Sequence, residues 1–231
     1  GPGSGGINAV AGLERIEVGI GLFGGSADGS GQIVSTRIGT LRIGGIKAGD
    51  GPGSGGVRAT SLGTVVVRGD ITGSALQPAI ISAEGSFTTP GQRAIGSLTV
   101  GGSMNNALVL GGYSPYGLTP TNGTARIGSV VVRRDMIGSS IVAGVEDIGP
   151  PSPSGIPQFG DGLDASIAGI GGSRIDSLVV NGLALGGPDP LSFSGVLASS
   201  IGRVRLGGQS YTVTYAGITP TSLNLVFQLI A

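Results

Sequence analysis

The stretch Ile95-Gly96-Ser97-Leu98-Thr99-Val100-Gly101-Gly102 decides the fold, because six variants of it recur along the chain. They are Leu13-Glu14-Arg15-Ile16-Glu17-Val18, Ile38-Gly39-Thr40-Leu41-Arg42-Ile43, Leu62-Gly63-Thr64-Val65-Val66-Val67, Ile127-Gly128-Ser129-Val130-Val131-Val132, Ile175-Asp176-Ser177-Leu178-Val179-Val180 and Ile201-Gly202-Arg203-Val204-Arg205-Leu206. The anchors Leu13, Ile38, Leu62, Ile95, Ile127, Ile175 and Ile201 lie 25, 24, 33, 32, 48 and 26 residues apart. A unit of 24 or 25 residues, padded by loops, is a solenoid period.

Within the phrase, Leu98 and Val100 and their equivalents are branched aliphatics, whereas the residue between them ranges from Arg42 and Arg205 to Thr99. That alternation is a strand with one face buried and one in solvent. The preceding Ile-Gly reads as a corner, with the glycine available for a left-handed backbone. A second strand is expected after it, as in residues 106–110 and 138–144, and a third over 32–35, 57–60 and 195–199, leading back to the next Ile-Gly. Insertions at 85–92, 111–124 and 145–164 then share one corner, after the second strand, where solenoids commonly carry function.

The expected fold is all-β: a right-handed parallel β-helix with three short strands per coil and 7–8 coils. It lacks the six-residue rhythm of a left-handed hexapeptide helix. Residues 1–210 form the solenoid, a rod of roughly 35–40 Å at the usual strand spacing. Residues 211–231 break the pattern and read as a cap or as assembly strands. Leu223, Leu225, Phe227 and Leu229 share one face there, which either closes the last coil or pairs with a neighbouring molecule.

Composition narrows the chemistry. With 13 basic and 13 acidic residues scattered singly through 231, no basic stripe tracks a nucleic acid. Cysteine and histidine are absent, which removes disulfides, thiolate nucleophiles, His-based triads and imidazole or thiolate zinc sites. No apolar run is long enough to span a bilayer as a helix. The chain opens Gly1-Pro2-Gly3-Ser4 without Met, as a processed, excised or engineered product would. Gly-Pro-Gly-Ser-Gly-Gly recurs at 51–56, so the opening reads either as a tag remnant or as native repeat.

Several short motifs have competing readings. Gly19-Ile20-Gly21-Leu22-Phe23-Gly24 matches a dinucleotide fingerprint, but no helix is expected to open after it. Arg68-Gly69-Asp70 spells an integrin-binding tripeptide, yet Arg133-Arg134-Asp135 fills the same slot and points to a corner with a local Arg-to-Asp pairing. Glu146, Asp147, Asp161 and Asp164 in a Pro-rich loop read as a calcium cradle or as solvated charges. Asn122-Gly123-Thr124 is a glycosylation sequon or a turn. Thr40, Thr64, Ser97, Ser129 and Ser177 form a hydroxyl column that Arg203 interrupts, too narrow for an ice-binding array. No catalytic, cofactor or metal residues are assigned.

The alternation of Ile-Gly-Ser-Leu-x-Val-Gly-Gly with Ile137-Gly138-Ser139-Ser140-Ile141-Val142-Ala143-Gly144 and the loop Val145-Glu146-Asp147-Ile148-Gly149-Pro150 resembles Gly-rich repeat regions of large secreted or surface proteins from planctomycete-type bacteria. The resemblance spans about residues 7 to 210. It implies a β-solenoid outside the cell or on its surface. The preferred functional expectation is a non-catalytic structural rod whose partner is another copy of itself, by end-to-end stacking or C-terminal strand exchange, giving a filament or surface polymer. A loop-face binding module for a glycan or a surface protein is the alternative, and a carbohydrate-active β-helix enzyme the weakest.

Overall fold

The computed structural model describes residues 5–86, 92–150, 155–167, 172–187, 194–214 and 225–230. They form a parallel β-solenoid of about 7 turns with almost no helix. All seven sequence anchors stand in one column: Leu13 pairs with Ile38, which continues through Leu62, Ile95, Ile127 and Ile175 to Ile201. The strands that carry them make the first face, from Leu13–Val18 through Arg93–Val100, Arg126–Val132 and Arg174–Val180 to Ser200–Leu206.

The inward columns are continuous aliphatic ladders. Leu41, Val65, Leu98, Val130, Leu178 and Val204 are buried in register, as are Ile43, Val67, Val100, Val132 and Val180. Each fully buried side chain contributes about 1.5–3 kcal/mol of transfer free energy. Strands inside the stack pair in parallel with the coils above and below, which gives their buried backbone groups hydrogen-bond partners.

The second face is only two residues deep per coil: Leu22–Phe23, Ile46–Lys47, Ile71–Thr72, Met104–Asn105, Met136–Ile137 and Ala184–Leu185. Such short strands show no alternation, so the expected second strand was misplaced. Residues 106–110 and 138–144 contribute to the third face. There Ile33, Val57, Ile81, Val109, Ile141, Val196 and Phe227 form a single inward column, with the exposed Ile7 in register at its open end. The two groups looked different in sequence because their corners differ. Coils that turn through Asn106 (φ 47°) or Gly138 (φ 57°) reach the third face within two residues, whereas the coil before Gly56 uses residues 48–55.

The three insertions do share a corner, but it lies between the third face and the first. Where nothing is inserted, the chain runs round that corner in one 12-residue strand, Gln32–Ile43 or Gly56–Val67. Nor do the glycines of the Ile-Gly corner adopt a left-handed backbone. They are required by the stacking: a Cβ on Gly128 would strike the carbonyl oxygen of Gly96 in the coil below.

At the C-terminal end Gln209–Tyr211 folds back antiparallel on Ser200–Leu206, and Leu225–Leu229 pairs parallel with Ser194–Ala198.

Candidate functional site

The third face is buried on both sides where the insertions cross it. Ile80, Leu108, Leu110, Val142 and Leu197 point away from the solenoid core into a second hydrophobic cluster, built with Tyr113, Val145, Phe159, Ile167 and Ile230. Tyr113 lies in the connection 112–125, Phe159 in the connection 144–173. Each sends an aromatic ring onto the same sheet, which roofs the strands and fixes the two insertions against one another.

Hydrogen bonds set the geometry of this layer. The buried Tyr113 hydroxyl donates to the Val145 carbonyl at 2.8 Å, and burial, with Glu146, Asp164 and Asp147 nearby, pushes its pKa upward, so it remains a donor. Val145–Asp147 pairs antiparallel with Asp164–Ser166, making a hairpin of the longest insertion. Asn122 Nδ2 donates to the Glu84 carbonyl at 3.0 Å, and its Oδ1 accepts from the Thr124 amide and hydroxyl. The sequon asparagine is therefore buried and hydrogen-bonded through both amide atoms, tying one connection to the next.

Three of the four acidic residues suggested as a calcium cradle bond to backbone N–H groups instead. Asp147 accepts from the backbone N–H groups of Gly149 and Gln158 at 2.7 and 2.8 Å. Asp161 accepts from Leu163 and Asp164 from Gly160. No group of three or more such ligands is placed to hold a metal ion among the described residues. Burial raises the Asp164 carboxyl to about 7, against the Gly160 hydrogen bond that lowers it and with Asp161 and Asp147 adding to the rise.

Between the two insertions lies a cleft of about 230 Å³, lined by Tyr113, Leu118 and Pro120 on one side and by Asp147, Gly149 and Ile156 on the other. Tyr116, Ile148 and Leu163 are exposed apolar side chains on these same insertions. The Ile148 amide bonds to the Leu163 carbonyl. The cleft thus combines apolar walls with a carboxylate, the mixture expected of a small-molecule or glycan site.

Two of the remaining sequence motifs sit at corners of the coil. Asp70 of Arg68-Gly69-Asp70 accepts from the backbone N–H of Ser103 at 2.7 Å, and Asp135 accepts from Leu183 at 2.8 Å. The aspartate in that slot caps the next coil and does not pair with its own arginine. Gly19–Gly24 covers a corner and the short strand Leu22–Phe23. Of the suggested interface residues, Leu225 and Phe227 are buried in their own chain's solenoid core and Leu229 packs against it. Leu223 lies outside the described residues.

One cluster escaped sequence reasoning. Arg93, Arg126 and Arg174 all reach the carboxylate of Asp176. The available signal was an arginine at the head of each phrase that follows an insertion, together with aspartate in place of glycine at 176. No protein-family model matches this chain, and neither curated proteins nor solved structures include a significant match.

Proposed function

We propose that the protein is a non-catalytic, extracellular or surface-located β-solenoid scaffold that binds a glycan or a protein surface through the face formed by its insertions. The observation that carries this reading is the second hydrophobic cluster. Loops that merely pad a repeat have no reason to build a core of their own, whereas loops held by Tyr113 and Phe159 present a shaped cleft on a rigid support. The resemblance to secreted or surface repeat proteins supports the location. The test is binding of wild-type protein and of Tyr116→Ala and Leu163→Ala variants to immobilised neutral and acidic oligosaccharides. Loss of binding with unchanged thermal unfolding is expected. Binding that ignores both substitutions, or no binding to any oligosaccharide or surface-protein extract, sinks the reading.

A second reading, self-association into a rod or filament, is favoured by the coil Ile7–Phe23, where Ile7, Val10, Ile20 and Phe23 are exposed. Light scattering over a concentration series distinguishes it. Growth of mass that Ile20→Ser and Phe23→Ser abolish supports assembly through that coil, and a constant mass excludes it.

A further inference from the structure

We infer that Arg93, Arg126, Arg174 and Asp176 form a binding site for the sulfate or carboxylate groups of an acidic polysaccharide, on the first face and separate from the insertion cleft. Three guanidiniums converge on one carboxylate. Arg93 Nε and Nη2 lie 3.0 and 2.8 Å from Asp176 Oδ2, Arg174 Nε lies 2.8 Å from Oδ1, and Arg126 Nη2 lies 3.3 Å from Oδ1. The cluster carries two positive charges in excess, in a chain whose formal net charge is zero.

Stability does not call for this surplus. Arg126 pairs in register with Arg93 on one side and with Arg174 on the other, and like charges in adjacent strands repel. In the first coils two acids serve three bases: Arg37 lies 3.9 Å from Glu14, and Glu17 lies 2.5 Å from Arg15 and 3.8 Å from Arg42. Among the described residues, a single acid serves three bases at the cluster. Asp176 orients the guanidiniums and cancels one charge, leaving the remainder for an external anion. Arg93 and Arg174 keep 55% and 43% of their side-chain surface open to solvent, and a guanidinium has five N–H donors arranged for planar oxyanions.

The surroundings favour a polymer over a lone ion. Ser97, Ser129 and Ser177 stack in register beside the cluster, and Arg203 heads the same column in the next coil. Successive coils repeat at about 4.8 Å, so hydroxyls and cations continue along the rod, where a linear chain of sulfated or uronic sugars can follow them.

The test is titration of wild-type protein, R93Q/R174Q and D176N with dextran sulfate, polygalacturonate, uncharged dextran, sodium sulfate and duplex DNA at fixed ionic strength. Circular dichroism checks that each variant is folded. Binding of at least one acidic polysaccharide and not of dextran is expected, with at least a tenfold loss in R93Q/R174Q and a several-fold gain in D176N. Sodium sulfate alone is expected to compete only at far higher concentration. The inference is overturned if neither acidic polysaccharide binds, if binding ignores the arginine substitutions, if free sulfate binds as well as the polymer, or if DNA binds equally tightly. Because none of these variants touches the insertion cleft, failure here leaves the cleft reading intact.

Discussion

The ring of Tyr113 stands edge-on to that of Phe159, with centroids 6.3 Å apart and planes at 89°. This contact joins two insertions that leave the solenoid a full coil apart. An edge-to-face pair adds about 0.5–1.5 kcal/mol beyond its buried area, and here it couples one insertion to the other.

Phe159→Ala should therefore cost about 3–5 kcal/mol, as expected for a buried phenylalanine, and the loss should be local. Hydrogen exchange is expected to accelerate across 112–125 and 144–167 while the strands of the first face stay protected. Uniform acceleration throughout the chain would show that the layer and the solenoid unfold together. Tyr113→Phe keeps the ring but leaves the Val145 carbonyl without its donor, for a smaller cost of about 1 kcal/mol.

Gly128→Ala should loosen the arginine cluster without touching any charge. The added Cβ would lie 2.8 and 2.9 Å from Arg93 Cδ and Nε, on the path by which Arg93 crosses one strand to reach Asp176 in the next but one. It would also strike the Gly96 carbonyl. A lowered melting temperature, with the Asp176 carboxyl rising toward its ordinary value by NMR titration, is the expected pair of results. An unchanged Asp176 titration would mean that Arg93 finds another route.

The two perturbed carboxyls predict opposite pH dependences. Asp164 rises from 3.8 to about 7 on folding, so between those values the native state holds a proton that the unfolded chain does not. Stability from this group declines as pH rises through that window, and Asp164→Asn should flatten the decline in urea unfolding. For Asp176, partial burial alone would raise the pKa, but hydrogen bonds and charge from Arg93, Arg174 and Arg126 outweigh it and hold the carboxyl below 3.8. Its contribution is present above 3.8 and is lost as pH falls through the depressed value. A slope at pH 4–7 unaffected by Asp164→Asn would remove Asp164 as its source.

Arg58 offers a stabilising substitution. Its side chain lies between Val34 and Ser82 on the third face, only 9% exposed, and its Nε has no acceptor. Burial lowers its pKa. Arg58→Met keeps the volume and removes an unsatisfied buried donor, so stability should rise by about 1 kcal/mol. A drop of that size on thermal unfolding would indicate that the guanidinium has a partner in solution.

Phe227→Ala tests the cap. Phe227 extends the inward column beyond Val196 and is fully buried, so truncation should cost about 3–5 kcal/mol and first expose the coils nearest Ser194–Ala198. If the strand served another molecule instead, the monomer would be indifferent to the change.

The sequence by itself determined the solenoid. Each first-face strand is long enough to show a period of two, and the coil-to-coil contact demands the same small or aliphatic residue at the same place, so Ile95, Ile127 and Ile175 announce their own stacking. The short second face was illegible because two residues carry no period, and Met104 and Met136 look like any loop methionine. Tertiary structure alone decided the sites. Phe159 seats beside Tyr113, and Arg93 beside Asp176 some 83 residues later, only because stacked coils bring together residues whose separation depends on insertion length. Such contacts leave no regular interval to read. The carboxylates of 145–164 show the same limit from the other side. Their clustering was visible in sequence, but whether they faced an ion or their own backbone N–H groups depended on the path of a hairpin that only folding against the third face defines.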